Sequence, residues 1–348
     1  MSQWIPFTRP LGRRPFGAFP LLVVAATSFG ASETTRPAPE ITPEVERAIN
    51  KGMAWLALQQ KPDGSFGSDS SYGRNVAITA LGGMAFLCDG HLPERGRYAS
   101  VVRKGLEFIL RSSSESGLLA ADTSHGPMYS HGFGALFLAE VYGATQMPGL
   151  GEKLRQAVRL IVRTQNDEGG WRYQPVKSDA DISVTICQVM ALRSARNAGI
   201  AVPKSTIDRA VDYVRRSQNP DGGFRYMLSP GESAFPRSAA GVAALYYAGV
   251  YQDPAIERGL AYLQRFRPGT GVSRRSPHYF YGQYYAVQAM FLAGGDHWEK
   301  WWPAIRNELL SQQTSEGAWQ GEAGSEYGTA MALIILQVPR RLLPIFQR

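Results

Sequence analysis

The sequence predicts an all-α protein whose helices form six consecutive pairs and close into an (α/α)6 toroid. A motif of glutamine, three residues, glycine, one residue and an aromatic side chain occurs four times with identical spacing. Amphipathic helical patterns alternate with more uniformly apolar ones, and neither terminal repeat has the polar face that would cap an open solenoid. We call the repeated pattern the glutamine motif; its copies are Gln60-Gly64-Phe66, Gln165-Gly169-Trp171, Gln218-Gly222-Phe224 and Gln313-Gly317-Trp319.

The first repeat shows the plan of a helix, a glycine loop and a second helix. Thr42 and Pro43 provide an N-cap and a first-turn proline. Apolar residues then recur every three or four positions until the turn at Gly64. The second helix, 76–87, is apolar throughout and rich in small residues, which favours a position between neighbouring helices.

The later repeats follow the same plan. Their predicted ranges are 98–111 with 128–142, 152–164 with 181–198, a pair opening at Ser205 with 238–247, a fifth pair within 254–295 and a sixth within 298–337. A glycine after a helix permits the left-handed conformation, the glutamine can bond backbone groups of the loop, and the aromatic ring can cover a helix end. We therefore interpret the glutamine motif as scaffold.

Composition and charge indicate a globular chain with an N-terminal targeting segment. The 348 residues are 44% hydrophobic and carry a net charge of +8, without a basic cluster interleaved with aromatic residues, so nucleic-acid binding is not expected. Arginines before a short apolar run predict a signal peptide at 1–30, a linker at 31–43 and a toroid domain at 44–348. An uncleaved anchor or a disordered tail is the alternative. We expect export to the periplasm or the extracellular space, and no membrane span in the mature chain.

The glutamine motifs between paired helices resemble the QW repeats of squalene and oxidosqualene cyclases and the related repeats of protein prenyltransferase β-subunits. The resemblance covers residues 44–337 and implies a terpenoid-cyclase-like toroid. Asp179-Ala180-Asp181-Ile182 is similar to the cyclases' Asp-x-Asp-Asp motif, with Ile182 replacing the last aspartate. The resemblance implies that Asp181 is a general acid and that Asp179 supports it. Those cyclases place their cavity between two helical domains, whereas this chain has one.

The comparison with prenyltransferases implies a zinc site built from Asp, Cys and His at inner-helix starts. Asp179-Ala180-Asp181 lacks the cysteine of that family's Asp-x-Cys pair, and three matched ligands cannot be assembled. We therefore predict no metal and no cofactor.

Inner-helix starts meet at one rim of a toroid, so we aligned the six apolar runs to find the rim residues. Asp181, Asp179 and His131 are the candidate catalytic residues. The candidate ligand-binding residues are polar or aromatic and lie near the same rim: Asn75, Tyr129, Phe133, Arg237, Tyr279, Tyr281, Tyr284, Glu326 and Tyr327.

Each candidate also has a structural interpretation. Asp179 and Asp181 can cap a helix, His131 can be a hydrogen-bonded core residue, and Arg237 with Glu326 can form a bracing ion pair. Two functions therefore stay open: an enzyme whose aromatic wall stabilises a cationic isoprenoid, or a non-catalytic toroid that binds a lipid, peptide or glycan. A sugar-active enzyme would instead need two carboxylates across a groove.

Overall fold

The computed structural model describes residues 40–68, 72–123, 126–145, 147–272, 274 and 276–347. The predicted signal peptide and the linker up to residue 39 lie outside the described residues. Twelve α-helices occur in the described part, numbered in chain order: α1 (Pro43–Leu58), α2 (Val76–Leu87), α3 (Ala99–Arg111), α4 (Met128–Ala144), α5 (Leu150–Thr164), α6 (Ile182–Asn197), α7 (Lys204–Arg216), α8 (Phe235–Tyr247), α9 (Pro254–Leu263), α10 (Tyr279–Ala293), α11 (Gly295–Gln312) and α12 (Ser325–Gln337). Of these helices, none is long and apolar enough to cross a lipid bilayer.

The helices form two concentric rings. The even-numbered helices pack side by side in chain order, and α12 packs against α2. Nearly every residue of these inner helices is buried, since each helix meets protein on all sides. The odd-numbered helices lie outside; α5 and α7 bury one apolar stripe and turn a charged face to solvent.

The ring is closed between the last repeat and the first. The Gln313 amide nitrogen donates to the carbonyl oxygen of Ala48 in α1 at 2.9 Å. Arg340, just beyond α12, pairs with Glu46 at 2.8 Å and with Asp89 at 3.0 Å. The predicted (α/α)6 toroid of six helix pairs is confirmed.

The glutamine motif joins each outer helix to the next. Each glutamine amide donates to its own motif-glycine carbonyl at 2.8–3.0 Å and to a carbonyl near the start of the following outer helix at 2.8–2.9 Å. All four motif glycines have positive φ. A Cβ there would meet a carbonyl oxygen of the neighbouring outer helix at 2.2–2.8 Å, so only glycine fits. The predicted scaffold role of the motif is confirmed.

A second bond ties each motif to its own inner helix. The backbone nitrogen of the motif aromatic donates to a hydroxyl about one turn into the following inner helix, at 2.8–3.1 Å. The acceptors are Thr79, Thr185, Ser238 and Thr329. These bonds hold the loop before each inner helix, where the rim of the toroid lies.

The packed toroid already includes the end of the segment that the sequence assigned to the linker. The Glu40 carboxylate accepts from the Trp298 indole at 2.5 Å, and the Glu40 carbonyl accepts from the Trp302 indole at 3.1 Å. Both tryptophans are buried. Residue 40 is therefore part of the folded unit.

Candidate functional site

The starts of the inner helices surround a cavity of about 800 Å³. This volume is typical of small-molecule sites. Its wall is rich in aromatic side chains, contributed by Tyr72, Tyr129, Phe133, Tyr173, Tyr226, Tyr281 and Tyr327. Polar and charged residues line the rest of it together with small apolar ones; they are Asn75, Thr123, Ser130, Ser183, Arg237, Ser276, His278 and Glu322. The predicted cavity at the rim is present, and Asn75, Tyr129, Phe133, Arg237, Tyr281 and Tyr327 line it as expected.

The placement of His131 at the rim was wrong. The ring is fully buried, its Nδ1 accepts from the Leu119 backbone nitrogen at 3.1 Å, and its Nε2 donates to the Ala157 carbonyl at 3.1 Å. Burial lowers the pKa of His131 to about 4, against the opposing effect of the bond to Ala157. His131 thus takes the position that Thr79 and Thr185 hold in their repeats, one helical turn inside the rim.

Three other predicted ligand contacts do not line the cavity. The Tyr279 hydroxyl donates to Glu308 of α11 at 2.6 Å, towards the outer ring. Tyr284 is fully buried below the wall, with its ring centroid 6.1 Å from that of Phe133. Glu326 lies beside the rim, and the expected partner Arg237 donates instead to the carbonyls of Phe224 and Glu232. These positions were assigned from runs of apolar residues, which do not specify the direction of each side chain.

Asp181 is the N-cap of α6. Its Oδ1 accepts from the Val184 nitrogen at 2.8 Å, and its own nitrogen donates to the Trp171 carbonyl at 3.0 Å. Asn75 caps α2 in the same way, with the Ile78 nitrogen 3.1 Å from Asn75 Oδ1. The carboxyl is completely buried and does not line the cavity. The cap interpretation therefore accounts for one oxygen of Asp181.

The other oxygen of Asp181 faces an arginine. Oδ2 has no hydrogen-bond partner among the described residues and lies 3.9 Å from Arg172 Nε, a buried donor that is likewise unpartnered. Burial raises the pKa of Asp181 to about 6, although the backbone donors at Val184 and Ser183, the charge of Arg172 and a hydrogen bond from the Tyr226 side chain oppose the shift. This carboxyl changes charge near neutral pH, unlike an ordinary surface aspartate.

Asp179 is paired with Arg172 at the edge of the site. Its side chain is 41% exposed, and the Arg172 guanidinium bonds it directly. Burial alone would raise the pKa of Asp179, but the hydrogen bonds from Arg172 and Ser178 outweigh it and lower the pKa. Asp179 is therefore ionised at neutral pH and neutralises Arg172.

Two cavity tyrosines escaped the sequence analysis because they lie in loops before the inner helices. Tyr173 and Tyr226 each stand two residues after a motif aromatic, in Trp171-Arg172-Tyr173 and Phe224-Arg225-Tyr226. Their carbonyls accept from the first residue of the preceding inner helix, at 3.2 Å from the Met128 nitrogen and 3.0 Å from the Ile182 nitrogen. The repeated Arg-Tyr after the motif was the signal that could have found them.

Residues 40–321 match the family model described as a prenyltransferase alpha-alpha toroid domain. The chain belongs to this family. Among curated relatives, the drimenyl diphosphate synthase of Streptantibioticus cattleyicolor is 30% identical over 224 residues, covering 62% of this chain and 37% of that protein. The probable squalene–hopene cyclase of Sinorhizobium fredii is 26% identical over 318 residues, covering 80% of this chain and 47% of that protein. The chain spans about half, or less, of the length of these relatives.

Solved structures share the toroid at low sequence identity. A variant of the type II terpene cyclase MstE from Scytonema, in complex with geranylgeranyl dihydroxybenzoate, matches with a TM-score of 0.59 and 15% identity, over 86% of this chain and 98% of that one. Cellobiose 2-epimerase from Bacillus thermoamylovorans matches with a TM-score of 0.63 and 12% identity, over 85% and 99%. At this identity the matches show the fold alone.

The cavity of about 800 Å³ is lined by residues of this one toroid.

Proposed function

We propose that this toroid binds an isoprenoid chain in the aromatic cavity and that Asp181 does not protonate it. The observation that carries the proposal is the aromatic-walled cavity at the rim of a terpene-cyclase-like toroid. Burial of each methylene group contributes about 0.8 kcal/mol, and a flexible branched chain can follow a wall of rings. We expect dissociation constants on the order of micromolar once the cost of ordering the ligand is included.

The position of Asp181 favours binding over proton transfer. A general acid must reach the atom that it protonates. Here Oδ1 accepts from the Val184 nitrogen and Oδ2 faces Arg172. Ser183 and Tyr226 line the cavity and hydrogen-bond the carboxyl, which does not line it itself. The Arg172 guanidinium also opposes the rise in the pKa of Asp181 and so works against the protonated form that a general acid needs.

A second candidate function is proton-initiated cyclisation of an isoprenoid by Asp181. It is supported by the pKa of Asp181, which burial raises to about 6, because a neutral carboxylic acid is the species that such chemistry requires. The curated relatives named as cyclases support the same candidate.

Equilibrium binding of geranylgeraniol, delivered from cyclodextrin, tests the first candidate. Ala77 lies in the first turn of α2 and lines the cavity, so Ala77→Trp should fill it and reduce affinity at least about tenfold. Leu58→Trp, at an 83% exposed position on α1, is the matched control and should bind normally. Equal binding by both variants would place the ligand elsewhere and refute the proposal.

Product analysis separates the two candidates. Wild-type protein and Asp181→Asn are incubated with squalene, geranylgeraniol and geranylgeranyl diphosphate, and the extracts are examined by mass spectrometry. The binding function predicts recovery of unchanged ligand from both proteins. A cyclised product that Asp181→Asn fails to form would establish the second candidate instead.

We also propose that the chain is exported by its N-terminal segment, on the evidence of arginines followed by a short apolar run and small residues. Cell fractionation with N-terminal sequencing of the recovered protein tests this. Cleavage near residue 30 is expected; cytoplasmic protein with an intact N-terminus would contradict it.

A further inference from the structure

We propose that the hydroxyls of Tyr173 and Tyr226 form a polar subsite in the cavity wall that binds a hydroxyl group of the ligand. The inference rests on the proposed function and makes it more specific: the ligand is an isoprenoid alcohol, held by its oxygen at this point.

The two phenols form a joined pair on the cavity surface. Their hydroxyls are hydrogen-bonded to each other, and both side chains line the cavity. The Arg172 guanidinium carbon lies 5.3 Å from the Tyr173 ring centroid and 5.8 Å from that of Tyr226, so one cation braces both rings. Backbone bonds to Met128 and Ile182 fix the two loops. The hydroxyl pair is therefore positioned before any ligand arrives.

The hydrogen bonds around this pair are incomplete. One phenol proton is used in the bond between the hydroxyls, and the Tyr226 hydroxyl also hydrogen-bonds the Asp181 carboxyl, so the pair offers the cavity free lone pairs on its oxygens. Directly behind, Asp181 Oδ2 and Arg172 Nε are both buried and unpartnered, 3.9 Å apart. Buried polar groups are normally satisfied, so the phenol oxygens, which do line the cavity, are suited to accept a hydrogen bond from a ligand.

A hydroxyl fits this corner better than a hydrocarbon end. A ligand hydroxyl can donate to the free lone pairs of the phenol oxygens. A hydrocarbon end would leave these lone pairs without a donor, at a cost in affinity.

The test compares two ligands and four proteins. Geranylgeraniol and the hydrocarbon in which hydrogen replaces its hydroxyl are titrated into wild type, Tyr173→Phe, Tyr226→Phe and Tyr251→Phe. Tyr251 lies on the surface, 41% exposed, and is the matched control. We expect the wild type to prefer the alcohol about tenfold, and each cavity variant to lose most of that preference while keeping its affinity for the hydrocarbon.

The outcomes distinguish the subsite from the cavity. Hydrocarbon and alcohol binding equally to the wild type would overturn the subsite and leave isoprenoid binding intact. Equal losses for both ligands in Tyr226→Phe would also overturn it, since the ring and not the hydroxyl would then be responsible. Failure of both ligands to bind would refute the proposed function together with the subsite.

Discussion

The Asp181 carboxylate accepts a hydrogen bond of 2.8 Å from the Val184 nitrogen, one turn into α6. Asn75 and Ile78 form the equivalent bond at the start of α2, at 3.1 Å. An uncharged amide therefore does the same capping work in another repeat of the same chain. The charge of Asp181 is not needed for the helix, and its removal is an informative experiment.

We expect Asp181→Asn to be at least as stable as the wild type at pH 8. The pKa of Asp181 in the folded protein, about 6, lies above its ordinary 3.8, so the wild type loses up to about 3 kcal/mol as pH rises through this interval. Asparagine caps about as well and carries no charge. Urea denaturation at pH 4 and pH 8 measures the difference; clear destabilisation at pH 8 would contradict it.

Gln313→Ala should remove a hydrogen bond that joins the last repeat to the first and closes the ring. The Gln313 amide donates hydrogen bonds to the carbonyls of Gly317 and Ala48. Losing these two hydrogen bonds while the carbonyls stay buried costs about 1–3 kcal/mol of folding stability. Gln165→Ala, within the ring, is the matched control and should cost a similar amount. Urea denaturation of both variants makes the comparison. If Gln165→Ala lowers the free energy of unfolding and Gln313→Ala does not, closure of the ring contributes nothing to stability.

Glu140→Gln should remove the loss of folding stability that the wild type shows as pH rises from about 4.5 to 7. Glu140 is 4% exposed, and burial raises its pKa to about 7 even though the Ser194 hydroxyl, at 2.5 Å, opposes the shift. Between about 4.5 and 7 the folded state keeps a proton that the unfolded state releases, so wild-type stability falls by about 3 kcal/mol. Thermal melts should show a higher melting temperature for the variant than for the wild type at pH 8, and no such increase at pH 5. An equal difference at both values would argue against a buried, protonated Glu140.

His131→Thr tests whether this residue is scaffold. Threonine supplies the hydroxyl acceptor found at Thr79 and Thr185 but leaves a small void, so we expect a loss of about 1–3 kcal/mol at pH 8. Wild-type His131 stays neutral down to about pH 4 while the unfolded chain binds a proton near 6.5, so the wild type loses stability as pH falls through this range. The difference between the two proteins should shrink towards pH 4. If His131→Thr has unchanged stability but no longer binds ligand, His131 has a functional role and not a structural one.

The ring and its closure could be predicted because the glutamine motif encodes them locally. Gln60, Gly64 and Phe66 make the same contacts as Gln313, Gly317 and Trp319, and spacing alone identifies such copies. The alignment of inner helices was less secure. The second repeat has Pro127 at the N-cap position, where the first and third have Asn75 and Asp181. The start of the helix at residue 128 was predicted correctly, but the rim alignment used His131, four residues beyond the N-cap.

The direction of individual side chains could not be read from periodicity. An inner helix is buried on all sides, so Tyr281 in the cavity and Tyr284 below its wall look alike in sequence. Tyr226 was missed for a different reason, because its position depends on a loop that is held by another repeat. Tertiary contacts, and not local pattern, decide which aromatic residues meet the ligand.

The central claim is that the aromatic cavity holds an isoprenoid, and photo-crosslinking tests it most directly. A geranylgeraniol analogue with a diazirine on its chain is irradiated with the wild type and with Ala77→Trp, and modified peptides are mapped by mass spectrometry. We predict adducts on Tyr129, Phe133 or Tyr281, abolished by unlabelled geranylgeraniol and by Ala77→Trp. Adducts confined to the outer helices, or cavity adducts that persist in Ala77→Trp, would contradict the account.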